Sequence, residues 1–175
     1  MAVLPGISAD HIAPAGGAFE PARKNNFTII VPFGTTEIQM ALASCPLPKP
    51  GVGELTIPYG NEERFVAGVA KFDAVALVVK DFVRHGILRA VRQWRTMVYD
   101  PRTGAIGWAR NYKKTCDIVM FGPDGSHWRV WRCIGVWPSR LNEGDFKMSE
   151  SADNNRIEMT LEMDKAVYLG YAGGR

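Results

Sequence analysis

The sequence predicts a mainly β domain carrying one α-helix. Three observations lead there: a strand–turn–strand ribbon from Asn111 to Pro138, a strictly alternating segment from Arg156 to Met163, and a single stretch of helical period from Gly86 to Tyr99. With 175 residues, 46% of them hydrophobic, the chain is long enough to bury a core of its own as one domain. The densest apolar run, Ala74 to Val79, is far too short to span a bilayer and suits a buried strand.

In chain order, residues 1–26 are rich in Ala, Gly and Pro, show no period and read as an arm. The arm lacks both a basic start and a continuous apolar core, so it does not read as a secretory signal. The domain proper is expected over 27–169. Phe27 to Pro32 and Ile38 to Ala43 read as strands joined as a hairpin across Phe33-Gly34-Thr35-Thr36. Three prolines between Cys45 and Gly51 interrupt regular structure. A short strand is expected at Glu54 to Pro58. The polar, turn-prone Tyr59, Gly60, Asn61, Glu62, Glu63 and Arg64 belong to an exposed excursion, residues 49–67, of the kind that carries interactions.

Phe72 to Phe82 is β-branched and reads as a central strand. Beyond it Ile87, Val91, Trp94 and Val98 form a helical stripe, with Arg89, Arg92 and Arg95 displaced from it. Asp100-Pro101-Arg102-Thr103-Gly104 stops this helix, the only one expected, and Trp94 is read as a core anchor. In the ribbon, Gly122-Pro123-Asp124-Gly125 is a turn with Pro at its second position and Gly as the left-handed residue. That turn sets Met120 opposite Trp128 and Ile118 opposite Val130, which leaves Asp117, Arg129 and Trp131 on the second face. A two-residue Asp-Gly turn would instead set Met120 against Arg129; the first register is preferred for its cleaner apolar face. On the alternating segment Ile157, Met159, Leu161 and Met163 share one side. Arg156, Glu158, Thr160 and Glu162 share the other, which faces water or a wet interior. Residues 170–175 read as a flexible tail.

Charge is unevenly spread. Nine Lys or Arg stand against two Asp between Lys80 and Lys114, and seven acids against two cations between Glu143 and Asp164. Such asymmetry suits contact with nucleic acid, or complementary contact between copies of the chain. Basic residues interleaved with Trp94, Tyr99, Trp108 and Tyr112 keep nucleic-acid binding as a rival reading, although no recognition signature accompanies them. For catalysis the pattern is poor. His11, His85 and His127 have no ligand spacing, and no phosphate-cradling loop or nucleophile elbow occurs. Glu158 and Glu162 lie ~13 Å apart along a strand, too far for an acid–base couple. No enzyme, cofactor or metal site is expected. Cys45, Cys116 and Cys133 are too few and scattered for a disulfide framework or zinc site. The preferred register sends Cys116 and Cys133 to opposite faces, so only a disulfide between chains is left open.

Several motifs carry a resemblance: Ile57 through Arg64, Trp94-Arg95 with Val98-Tyr99, Thr103 through Gly107, Tyr112-Lys113-Lys114, Gly122 through Gly125, and Gly135-Val136-Trp137-Pro138. Together, over Phe27 to Leu169, the chain resembles the tail-tube proteins of contractile-tailed bacteriophages. The resemblance implies an antiparallel β-sandwich or small β-barrel with one flanking helix, similar in fold to the secreted tube protein of type VI secretion systems. It further implies a structural virion protein, put together in the host bacterial cytoplasm, whose hexameric rings stack as the inner tube of a phage tail. A tube initiator, a terminator or a baseplate protein of the same fold is the near variant. The implied partners are further copies of the chain, the tail sheath protein, baseplate and tail-terminator proteins, tape-measure protein, and DNA that passes without specific binding. Under this resemblance Arg156, Glu158, Thr160 and Glu162 are expected on an acidic lumen wall that repels phosphate. Tyr59 to Arg64 are expected in the arm to the adjacent ring, and Arg89, Arg92 and Arg95 on the outer wall towards an acidic sheath.

Overall fold

The computed structural model describes residues 24–31, 39, 41–82, 86–122, 125, 127–144 and 155–170. Most of the N-terminal arm, the 33–36 connection, Pro123, Asp124, the segment around Phe146 and the tail beyond Gly170 lie outside them. The strands are β1 (Phe27–Ile30), β2 (Leu42–Ser44), β3 (Pro50–Tyr59), β4 (Glu62–Phe72), β5 (Val75–Lys80), β6 (Lys114–Phe121), β7 (His127–Asn142), β8 (Arg156–Glu162) and β9 (Lys165–Gly170). Two helices, α1 (Ile87–Val98) and the single turn α2 (Ala109–Tyr112), lie between β5 and β6.

All strand pairs are antiparallel. Seven strands form one sheet in the order β1-β6-β7-β8-β5-β2, with β9 also on β7, while β3 and β4 pair only with each other. The long β7 is the hinge of the sheet. Its first half runs between β6 and β9, and from Trp137 onward it pairs with β8. Gly135, at φ +70, sits at this changeover; a Cβ there would meet the Asp164 carboxylate at 2.1 Å. Only glycine reconciles that backbone with so close a neighbour. Pro138 lies beside a register shift, where a missing N–H costs least. The Trp137-Pro138 pair thus marks a change of partner, and the strand continues to Asn142.

The sheet curls so that its two ends meet in one core. Ile29 from β1 and Ile118 from β6 join Leu77 and Val79 from β5, and Ile157, Met159 and Leu161 from β8. Helix α1 covers this core with the stripe read from the sequence, Ile87, Val91 and Trp94 being at most 2% exposed and Val98 8%. Burial of these side chains, each worth roughly 1.5–3 kcal/mol, is what holds the helix, since no side chain caps its N-terminus. Trp94 adds a hydrogen bond, its Nε1 donating to the Tyr112 carbonyl at 2.7 Å.

Four local expectations are corrected. Residues 38–43 were expected as a strand, yet Gln39 and Ala41 are helical and only Leu42–Ser44 is extended. Gln and Ala are good helix formers, and at these two positions that local preference prevails. Nor do β1 and β2 form a hairpin: β1 pairs with β6 and β2 with β5. Asn111, expected to open the ribbon, lies in α2. The fourth correction concerns the ribbon register. Phe121 faces His127, as the preferred turn requires, and Gly125 at φ +78 donates its N–H to the Gly122 carbonyl at 3.1 Å. A bulge between Phe121 and Met120 then shifts the pairing by one, so that Met120 faces Arg129, Val119 faces Val130 and Ile118 faces Trp131. Asp117 therefore shares a face with Arg132, which it binds through two hydrogen bonds of 2.9 Å, and not with Trp131. A bulge is a one-residue event that flips every side chain beyond it.

Candidate assembly surfaces

Strands β3 and β4 form a 23-residue hairpin, Pro50 to Phe72, whose residues are exposed apart from half-buried Phe72. The excursion expected as loop 49–67 is therefore a ribbon, and the expected strand at Glu54–Pro58 is the middle of β3. Its turn is Gly60-Asn61. Gly60 stands at φ +65 in the first central position and Asn61 is not left-handed, the signature of a II′ hairpin turn. Tyr59 faces Glu62, Ile57 faces Arg64 and Leu55 faces Val66. Those six side chains share one face, largely apolar, with the Arg64 guanidinium 4.2 Å over the Tyr59 ring. Glu63 lies on the opposite face, with Pro58, Thr56 and Phe65. A two-stranded ribbon is marginal in water by itself, and an exposed apolar face is what such a ribbon would bury against a partner.

The outer face of β8 holds Arg156, Glu158, Thr160 and Glu162, with Ile157, Met159 and Leu161 buried behind them as the alternation requires. Strand pairing brings further charges to the same face. Lys80 stands opposite Arg156, Arg140 opposite Thr160, and Asn142 opposite Glu158. The expectation of an acidic face is therefore corrected: three cations surround two carboxylates. Lys80 and Arg140 come from strands remote in sequence, so no local reading of β8 includes them.

The three helix arginines separate. Arg89 is exposed, Arg95 is half-buried, and Arg92 is held within the chain. Its Nε donates to Glu143 Oε1 at 2.6 Å and its Nη2 pairs with Oε2. The hydrogen bond and charge of Arg92 hold the Glu143 carboxyl below the usual range, and Glu143 raises Arg92 in turn. Lys113 Nζ likewise donates to both Asp164 oxygens, at 2.7 and 2.8 Å. The basic and acidic regions of the sequence are thus partly matched inside one chain, which leaves less of that charge for a neighbour.

The scattered cysteines converge. Cys116 and Cys133 face each other directly across β6 and β7, on the core side, and all three thiols are free. The expectation that they point to opposite faces fell with the register. Burial pushes Cys116 up to about 12 and Cys133 to about 11, and Cys45 likewise to about 12. Among the described residues, no group of three or more His, Cys, Asp or Glu is placed to hold a metal ion.

Two features had no counterpart as assembly surfaces in the sequence reading, where Trp108 stood only among the aromatics interleaved with basic residues. Strand β9 pairs only with β7, β1 only with β6 and β2 only with β5, so each leaves an edge without a strand among the described residues. The run Lys165-Ala166-Val167-Tyr168-Leu169 has the β-branched and aromatic content that would have marked β9. The second feature is a pair of protruding apolar side chains, Ile106 at 79% and Trp108 at 74% exposure.

No protein-family model and no curated protein matches the sequence. Solved structures do match. A chain of the sheath–tube complex of an extracellular contractile injection system, PVC, in its extended state aligns over 94% of this chain and 99% of its own, with a TM-score of 0.69 and 16% identity. A chain of the anti-feeding prophage tube-terminating cap aligns over 86% and 91%, with a TM-score of 0.69 and 14% identity. A chain of the anti-feeding prophage baseplate aligns over 86% and 96%, with a TM-score of 0.64 and 12% identity.

Proposed function

We propose that the chain is a structural subunit of the inner tube of a contractile tail or contractile injection particle, working by assembly with copies of itself and not by catalysis. The observation that carries this reading is the likeness of fold to a chain of a sheath–tube complex across nearly the whole length of both. The surfaces suit it. A ribbon with an unburied apolar face and strand edges without partners among the described residues are liabilities in an isolated subunit, and each is removed when rings close and stack.

In this reading β1 and β9 edges join neighbouring subunits into a ring of six, and the β3–β4 hairpin, with Tyr59 to Arg64 at its tip, reaches the adjacent ring. The outer face of β8 lines the channel. With Lys80, Arg140 and Arg156 beside Glu158 and Glu162 it is close to neutral, so a cargo slides along it without strong attraction or repulsion. In a phage tail that cargo is tape-measure protein and then DNA. Arg89 and Arg95 are the helix cations left to meet a sheath, Arg92 being engaged by Glu143. A role as terminator or baseplate ring is the second reading, favoured by the equal TM-score to the tube-terminating cap.

Negative-stain microscopy of the purified protein tests both. Long hollow rods are expected of a tube subunit, and discrete rings of a terminator. A chain that stays monomeric, and shifts on DNA in a gel, would overturn the proposal in favour of nucleic-acid binding. Removing Tyr59 to Arg64 should leave folded subunits that do not elongate.

A further inference from the structure

Beyond α1 the chain forms a knob. Tyr99 bridges to Ile106, and Gly107 N–H donates to the Val98 carbonyl at 3.0 Å. The segment is tightly held: a Cβ on Gly107 would lie 2.0 Å from the Met97 carbonyl oxygen. Asp100 secures the turn by accepting from Arg102 N–H at 2.9 Å and Thr103 Oγ1 at 3.2 Å. Ile106 and Trp108, two residues apart and largely exposed, therefore project from a hydrogen-bonded turn. The Arg110 guanidinium lies 5.8 Å over the Trp108 ring. Trp and Arg are among the side chains that dominate binding energy at protein interfaces.

A matching surface lies at the base of the hairpin. An open trough of about 580 Å³ is bounded by Val52, Glu54, Leu55, Val69 and Lys71, with glycines along it that leave the backbone bare. Its walls are chiefly apolar, and its charged lining residues are one carboxylate, Glu54, and one ammonium, Lys71. The hairpin is exposed along nearly its whole length, so the trough is uncovered among the described residues. Knob and trough thus lie on separate parts of one molecule, an apolar ring beside the Arg110 cation on the first and apolar walls that include the Glu54 carboxylate and the Lys71 ammonium on the second.

We propose that Trp108 of one copy seats in the hairpin-base trough of a second copy, with Arg110 beside the ring pairing with Glu54. This rests on the self-assembly reading and deepens it by naming what the hairpin meets. The two patches differ, so the contact is head-to-tail: each copy offers a free knob and a free trough, and the contact propagates around a ring or along a tube.

The test compares assembly of full-length wild type with Trp108→Ala, Arg110→Glu, Glu54→Arg and the Arg110→Glu/Glu54→Arg double variant, by sedimentation and negative stain. Trp108 is largely exposed, so its truncation should leave circular dichroism unchanged. It should raise the concentration needed for assembly by about 30-fold, as loss of a hot-spot side chain does. Each single charge reversal should weaken assembly and the double reversal should restore it. Rods from Trp108→Ala at the wild-type concentration would overturn the contact while leaving the tube reading standing, and so would a double reversal no better than the singles. A wild-type chain that never assembles would overturn both.

Discussion

On β8, Ile157, Met159 and Leu161 are at most 2% exposed, whereas on the hairpin Leu55, Ile57 and Val66 stand 56%, 44% and 43% exposed. Both regions are antiparallel strands that show similar apolar side chains on one face. They differ in what lies across from that face. Strand β8 looks onto β1, β6 and α1 of its own chain, through the core that contains Ile29, Ile118 and Trp94. The hairpin pairs only with itself. One region is covered by folding, and the other is left exposed among the described residues. A two-stranded ribbon this long holds its shape in isolation only weakly, so under the proposed function assembly and hairpin ordering should be coupled.

The contrast can be broken at its strong end first. Met159→Ala removes a side chain that is 2% exposed in the centre of the core. It should cost about 2–5 kcal/mol of subunit stability in urea denaturation, the range for a buried Met, Leu or Ile truncated to Ala. A loss under about 1 kcal/mol would mean that the core collapses around the gap or that β8 is less buried than its alternation indicates.

An intermediate effect is expected from pH. The folded-state carboxyl of Glu143 is held low by Arg92, so its contribution is present at neutral pH and above the ordinary glutamate value of 4.5. It is lost as pH falls through the lower folded value. Melting temperature should therefore drop more steeply on acidification below about 4.5 in wild type than in Glu143→Gln. Both partners are well exposed, at 58% and 34% of their side chains, so the difference should be small and should shrink in salt. Parallel curves for the two proteins would show that the pair adds nothing to stability.

The smallest effect belongs to the hairpin. Ile57→Ala, a truncation comparable to that at Met159, should change the stability of unassembled subunits by less than about 0.5 kcal/mol, as for surface substitutions generally. A loss above about 1 kcal/mol would mean that the hairpin folds back onto its own chain.

The parts legible in the sequence share a physical basis. The α1 stripe and the β8 alternation each follow from a fixed geometric period, 3.6 or 2 residues, acting on side chains that must be buried. The stop after Tyr99 and the left-handed glycine at 125 follow from the φ restrictions of Pro and Gly. Such features need no knowledge of the rest of the chain. The ribbon register was not legible beyond Phe121, because one bulged residue reverses the facing of all that follow. The hairpin passed for a loop because its glycines and the polar 59–64 stretch obscured a period that the bulge near Val52 also interrupts.

By itself, then, the sequence determined the mainly β character, the one long helix with its buried face, the apolar face of β8 and the turn at Gly125. Only the tertiary structure decided which strands share an edge. That choice set Cys116 against Cys133, surrounded Glu158 and Glu162 with Lys80 and Arg140, and tied Arg92 to Glu143 and Lys113 to Asp164. The physical reason is range. Periodicity and backbone sterics act between near neighbours along the chain, whereas register, facing charge and unfilled edges depend on partners dozens of residues away. Those long-range pairings leave the β3–β4 ribbon and the β1, β2 and β9 edges without a further strand among the described residues.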